Sequence, residues 1–416
     1  MSMEAGTFDA RSFGNGTTRS WHLPAVSGPF VLTALLFLAL NFQMVSFKGQ
    51  LAPPDEKLGP ALKAYHALFV SLGVLLLVRG QMVRWRPEMV AYFLVVGITT
   101  LVAALRFGPQ TVTVNTAFAA YAATIGATVG LLAGATTALR ALRWVSVFVL
   151  MAVLAKAALF LPQILAFLAA PWGHPMIPTF YGGGPNLEAT WVAMAGVFLI
   201  GSRAFIPYLG GSAVISVAYA SRVGLIIVAL VLMASVAGTL LRGPSAGASR
   251  RWMLPVVLCA MIVAGVAAAR GVTGADYIVR RFQSIGEDPG STGRLTLWTG
   301  GVRVFADHPF GVGIGNAIPF AERAISAGIT EDNLHNQYLQ HLVETGVQGL
   351  AVYLLLVATT WRRMLASRFH DPMLLYVGIY FLLAALQFRG GEALAWFVFG
   401  LQTGCSSVAR TAEAAA

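Results

Sequence analysis

The sequence predicts an all-α, polytopic membrane protein of about twelve transmembrane helices, with one sizeable helical loop outside the membrane. Three observations predict it. Hydrophobic residues make up 57% of the 416 residues, charged residues only 11%, and mean hydropathy is +0.72. No single soluble core needs such an apolar fraction. Apolar runs of roughly 17–25 residues, enough to cross a bilayer as a helix, recur along the whole chain. These runs are continuous rather than alternating, which selects helices over a closed barrel as the way to satisfy every backbone group in lipid.

The spans fall at 28–47, 64–78, 88–105, 111–139, 144–169, 187–201, 205–220, 223–241, 252–269, 346–361, 372–388 and 391–408. Residues 1–27 form a polar tail, and the first apolar run reads as an uncleaved span rather than a signal peptide. Residues 28–269 then carry nine spans, 270–345 the loop, 346–408 three more spans, and 409–416 a second tail. Lysine and arginine concentrate on the cytoplasmic side of membrane proteins. With the N-terminus cytoplasmic, the clusters Arg79/Arg84/Arg86, Arg140/Arg143, Arg242/Arg250/Arg251 and Arg362/Arg363/Arg368 all fall inside, and both termini are expected there. The arginines left outside are then informative: Arg106, Arg222, Arg270, Arg280, Arg281, Arg294, Arg303, Arg323 and Arg389. The net charge of +11 is scattered between spans and does not point to nucleic acid. Cys259 and Cys405 both lie in apolar runs and read as small buried hydrophobes, not as a disulfide or a metal pair.

The loop 270–345 is expected to hold three amphipathic helices lying over the membrane surface. In 274–285, Ile278, Phe282 and Ile285 share a face, and Glu287-Asp288-Pro289-Gly290 breaks the pattern. In 292–306, Leu295, Trp298, Val302 and Phe305 share a face and Pro309 ends the helix. The third helix starts near Asp332 or Asn333, with His335, Leu339 and Leu342 on one side.

Three features could carry chemistry. Ser221-Arg222 stands between two apolar runs; an arginine there either snorkels or grips an anion such as a lipid-linked phosphate, which its planar fork contacts in pairs. Gly293-Arg294-Leu295-x-x-Trp298 is followed by His308-Pro309-Phe310-Gly311-x-Gly313-x-Gly315-Asn316. The alternating glycines lack the strand–turn–helix context of a nucleotide site and read as a tight exposed turn between surface helices. Arg294 and Arg303, nine residues apart, point to opposite helix faces. The third feature is His335-Asn336-x-Tyr338-Leu339, then Glu344-x-Gly346. Histidine is the commonest general base near neutral pH, and His335 stands at a helix start close to the membrane plane; His308 and His174 are the alternatives. No carboxylates and histidines recur at ligand spacing on one helix face, so no metal is expected.

Taken together, Ser221-Arg222, Gly293-Arg294…Trp298, the Pro309-x-Gly311-x-Gly313-x-Gly315 turn and His335-Asn336-x-Tyr338-Leu339…Glu344-x-Gly346-x-x-Gly349 resemble the O-antigen ligase family, which also holds O-antigen polymerases and some protein oligosaccharyltransferases. The resemblance implies a GT-C-like glycosyltransferase of the bacterial inner membrane, without cofactor, working on the periplasmic side. Its donor would be a glycan on undecaprenyl diphosphate. Its acceptor would be lipid A-core for a ligase, a second lipid-linked repeat for a polymerase, or a protein for an oligosaccharyltransferase; modest loops favour the ligase. The chemistry fits: the leaving diphosphate is already a stable anion, so the site needs positive charge and a base rather than an acid. In this reading His335 is the base, Arg222, Arg294, Arg280 and Arg281 hold the diphosphate, and Asn336, Tyr338 and Ser221 support them. A transporter for the same lipid-linked glycans is the rival without chemistry; it would need the arginines but not the histidine.

Overall fold

The computed structural model describes residues 27–43, 64–78, 85–108, 111–168, 177–181, 184–241, 289–326, 333–386 and 392–415. Every described element is helical. Along the chain they are α1 (Gly28–Asn41), α2 (Ala64–Val78), α3 (Pro87–Phe107), α4 (Thr111–Leu159), α5 (Leu161–Leu168), α6 (Pro185–Ala195, continued by a 3-10 turn Gly196–Leu199), α7 (Phe205–Ala218), α8 (Arg222–Leu240), α9 (Pro289–Asp307), α10 (Ala317–Ile325), α11 (Gln337–Ala366), α12 (Pro372–Leu383) and α13 (Ala393–Ala415). Four of them contain a stretch long and apolar enough to cross a membrane: Pro87–Phe107, Ala117–Leu159, Arg222–Thr239 and Gln337–Ala366. Four shorter apolar helices accompany them. The expected span 252–269, the expected helix 274–285 and Cys259 lie outside the described residues. Within the helices, hydroxyls bond the carbonyl one turn back, as Thr33, Thr128, Ser146, Ser212, Ser216 and Thr360 do, which satisfies these hydroxyls inside an apolar bundle.

The most extensive packing joins α4 to α13, and small residues make it possible. A Cβ on Gly126 would stand 2.2 Å from the Phe397 carbonyl oxygen, and one on Gly130 would stand 2.3 Å from that of Leu401. Across the same contact, Gly400 and Gly404 lie against the Ala123 and Ala127 carbonyls at 2.0 and 2.1 Å by the same measure. Each helix thus presents two glycines four residues apart, the spacing that lets apolar helices approach backbone to backbone. Cys405 closes the contact as the buried small side chain expected of it, its Sγ 3.6 Å from the Gly130 carbonyl.

Two long helices are broken at glycines. In α4 the break is at Gly134 (φ 65°, ψ 165°). The sequence reading puts the division between two spans at 140–143; the chain instead turns at Gly134, where the lack of a Cβ permits that backbone conformation, and Arg140 and Arg143 stay helical. In α11 the break is at Gly346 (φ 71°, ψ −170°). Tyr338 and Tyr353 are fifteen residues apart, about 22 Å along an unbroken helix, yet their rings are 5.3 Å apart, and the His341 ring lies 4.4 Å from Tyr353. The arm 337–345 is therefore folded back against the long limb that follows it. This corrects the expectation of a third amphipathic helix lying over the surface: His341 is 3% exposed and packs between the Tyr92 and Tyr353 rings inside the bundle. The helix also starts at Gln337, capped by Asn336, and not near residue 332.

Polar groups gather at the two ends of the bundle. At one end Arg86 donates to Gln402, Gln402 donates to Asp371 (2.8 Å), and Arg363 pairs with Glu88. The other end, marked by the C-terminus of α12 and the starts of α6, α8, α11 and α13, carries the candidate site. Gly346 is the position on which the fold-back turns. Its backbone conformation is one open essentially to glycine, worth about 1–3 kcal/mol against any other residue, and a Cβ there would stand 2.4 Å from the Phe310 backbone carbon. Gly346→Ala is expected to destabilise the protein by more than that backbone figure, read as a fall in thermal unfolding temperature in detergent. A variant as stable as wild type would contradict the reversal.

Candidate functional site

The glycine turn 309–315 and the fold-back hold each other. Val312 N donates to the Val343 carbonyl (2.9 Å), Gly313 N to the Glu344 carbonyl (2.8 Å), and Val347 N to the Pro309 carbonyl (3.1 Å). Gly311, Gly313 and Gly315 have φ of 90°, 92° and 85°, which explains glycine at every second position. The turn is not the exposed one expected from the sequence: Val312, Gly313 and Ile314 are buried, and a Cβ on Gly313 would meet Ala103 of α3 at 2.1 Å. The carboxylate of Glu344, 4% exposed, accepts from Gly315 N (3.0 Å) and from Gln340 Nε2 (2.7 Å).

Residues 333–336 lie between α9 and α11 and are held atom by atom. Trp298 Nε1 donates to the Leu334 carbonyl (2.8 Å), Leu334 N donates to Gln340 Oε1 (2.9 Å), and His335 N donates to Asn333 Oδ1 (2.8 Å). Gln337 N donates to the Ala384 carbonyl at the end of α12 (2.7 Å). His335 itself is half-buried and has a positive φ of 51°, a conformation uncommon outside glycine, though histidine takes it more readily than most residues. Strain of that kind clusters at functional sites. Asn336 accepts from Leu339 N (3.1 Å) and so caps the helix that follows His335, and Tyr338 Oη donates to the Phe381 carbonyl (2.8 Å) and so ties that helix to α12. Arg294 sits half-buried on α9. That helix buries Leu297, Gly300, Gly301 and Val304, whereas Leu295 and Val302 are 53% and 56% exposed. The expected apolar face is thus rotated: glycines, which carry no apolar signal, line the real one. Arg303 is exposed, in keeping with its place opposite Arg294.

The second group of residues stands on the other side of α12. Ala220 takes a positive φ of 50° and turns the chain; Ser221, fully buried, caps α8 by accepting from Gly224 N (3.0 Å) and donates to the Asn186 side chain at the start of α6. Arg222 is then the first residue of α8 and half-buried. One turn into α6, Glu188 pairs with Lys156 of α4 and accepts from Phe180 N (2.6 Å). Both side chains of this pair are almost completely buried, at 4% and 3% exposure. Tyr181 Oη donates to Glu392 Oε2 (2.5 Å). The two groups meet through α12: Trp191 of α6 stacks on Tyr380, and the next residue, Phe381, takes the Tyr338 hydroxyl.

Residues 189–354 match the O-antigen ligase family. The matched segment begins within α6, takes in the Ser221–Arg222 corner, α9, the glycine turn and His335, and ends in α11 beyond the fold-back. The chain is thus similar to the O-antigen ligase family over the segment that bears both groups of candidate residues, about two fifths of its length. The long apolar helices fit a membrane-embedded protein. Among curated proteins none matches the chain.

Of the residues singled out by the sequence, the structure gathers His335, Asn336, Tyr338 and the Arg294 helix on one side of α12 and Ser221 and Arg222 on the other. Arg280, Arg281 and His174 lie outside the described residues. His308 is exposed, its ring 5.4 Å from that of Phe320. Among the described residues no three His, Cys, Asp or Glu side chains gather as metal ligands. Sequence reasoning missed Lys156, Glu188 and Gln340. Lys156 carried a signal all the same, since an ionisable residue inside an apolar run is costly without a partner. Breaking a buried ion pair by removing one partner costs about 3–5 kcal/mol. Lys156→Met is therefore expected to lower the stability of the purified protein by about that amount in a reversible unfolding titration. A change below 1 kcal/mol, on the order of a surface pair, would show that the pair does not anchor α4 to α6.

Proposed function

We propose that the chain is an O-antigen ligase, an inverting glycosyltransferase that moves a polysaccharide from undecaprenyl diphosphate to a sugar hydroxyl of lipid A-core in lipopolysaccharide assembly. The observation that carries the reading is the family match over 189–354, which encloses Ser221, Arg222, Arg294 and His335 within one segment. The end of the bundle bearing these residues faces the periplasm, and both termini are cytoplasmic. The distribution of arginines supports that orientation, because the large clusters then all lie inside.

Arg222 and Arg294, with Arg280 and Arg281, hold the donor diphosphate. Arg222 is suited to this by more than its charge. It opens α8, and a helix N-terminus already favours an anion through its unpaired amides and macrodipole. A guanidinium at that position adds its charge and its paired donors to the helix's own preference for an anion. The acceptor hydroxyl gives its proton to the His335 imidazole while its oxygen forms a bond to the anomeric carbon. The bond from that carbon to the diphosphate breaks, and the electron pair leaves with the diphosphate. Attack from the face opposite the leaving group inverts the anomeric centre. Because the leaving group departs as a stable anion, neither a catalytic acid nor a metal is required by this step. Asn336 and Tyr338 support the base through the backbone contacts they make, and Ser221 supports Arg222 as the cap of its helix.

Loss of a positioned base typically lowers a rate by about 10²–10⁴-fold. His335→Ala is expected to fall by that factor in transfer while still folding and binding the lipid-linked donor. If it turns over at close to the wild-type rate, the base is elsewhere and His308 is next to test. Arg222→Lys keeps the charge but not the paired contact, and is expected to transfer well below wild type at normal expression; full activity in Arg222→Ala would remove Arg222 from the site. With the same assay, a product that lengthens the lipid-linked glycan instead of loading lipid A-core would identify a polymerase.

A further inference from the structure

The side chain of Gln340 is tied at both ends. Its Oε1 accepts from Leu334 N, directly before His335, at 2.9 Å, and its Nε2 donates to Glu344 Oε1 at 2.7 Å. The same Glu344 oxygen accepts from Gly315 N at 3.0 Å. Gln340 and Glu344 are one helical turn apart on the folded-back arm and are 8% and 4% exposed. On its far side, Leu334 is gripped through its carbonyl by Trp298 Nε1 at 2.8 Å. A continuous path of hydrogen bonds therefore runs from the glycine turn, through one carboxylate and one amide, to the peptide that carries His335.

We propose that Gln340 and Glu344 are positioning residues for His335, fixing the backbone from which the imidazole projects; the proposal rests on the reading of His335 as the base. A group that abstracts a proton must be within hydrogen-bond reach of it, and displacements near 1 Å can cost about 100-fold in rate. The strained φ of His335 makes such fixing necessary: without a held Leu334 N–H and carbonyl, the peptide relaxes out of the left-handed region. Neither Gln340 nor Glu344 touches the reacting atoms in this account, so their loss changes turnover and leaves the binding of both substrates intact.

The test is steady-state kinetics on purified, reconstituted protein with the lipid-linked donor and lipid A-core. Gln340→Met keeps the chain length and removes both hydrogen bonds, and kcat is expected to fall about 10- to 100-fold with the KM for each substrate near wild type. Glu344→Gln retains an oxygen that accepts from Gly315 N and Gln340 Nε2, and is expected to keep most of the activity that Glu344→Leu loses. Should Gln340→Met fail to fold, Trp298→Phe releases Leu334 from the opposite side with the aromatic bulk retained, and the same kcat-only loss is expected. Wild-type kcat in Gln340→Met or in Trp298→Phe overturns the proposal, as does a loss in which KM rises along with falling kcat. These failures leave the reading of the site intact so long as His335→Ala remains inactive; an active His335→Ala removes that reading itself.

Discussion

The pairing between the glycine turn 309–315 and the break at Gly346 is the constraint on which the rest of the site depends. A helix interrupted inside an apolar bundle exposes backbone groups that lipid cannot satisfy. The turn satisfies them with Val312 N to the Val343 carbonyl, Gly313 N to the Glu344 carbonyl and Val347 N to the Pro309 carbonyl. With those groups paired, the arm 337–345 is free to fold back against Tyr353, and residues 333–336 are brought between α9 and the end of α12. Three glycines with positive φ in the turn and one at the break are the cost in sequence of that arrangement.

The bundle beneath is what keeps the two halves of the site in place. α12 stands between them, in contact through Trp191 and Tyr380 on one side and Phe381 with Tyr338 on the other. The buried Lys156–Glu188 pair fixes the start of α6, which in turn holds Ser221 through Asn186 and so fixes the corner at which Arg222 stands. Positive charge and a histidine are in this way borne by separate elements of one bundle, as the proposed transfer from a lipid diphosphate to a hydroxyl requires.

Much of this was legible in the sequence, and what was not has identifiable causes. Span α2 coincides with its expected bounds and α3 differs by two residues at most, because each is a continuous apolar run with polar flanks. The glycine-rich turn, His335 and Ser221-Arg222 stood out as residues too unusual for their surroundings. The division of α4 was misplaced because arginines mark a membrane boundary, whereas the chain turns at Gly134, where the backbone permits it. The fold-back at Gly346 has no periodic signature: residues 337–345 read as an amphipathic helix whichever way they run. The face of α9 was misread since Gly300 and Gly301 make the close contact, and hydrophobic periodicity does not register glycine. The paired glycines at 126/130 and 400/404 were visible as a four-residue spacing and would have joined α4 to α13.

The central claim is that this frame performs chemistry and does not merely move lipid-linked glycans. The direct measurement is reconstitution of the purified protein in liposomes with undecaprenyl-diphosphate-linked polysaccharide and lipid A-core, with no nucleotide or metal added. The account predicts lipid A-core carrying the polysaccharide through an inverted anomeric linkage, together with released undecaprenyl diphosphate. Donor that crosses the bilayer unchanged, with no glycan joined to any acceptor, would contradict it.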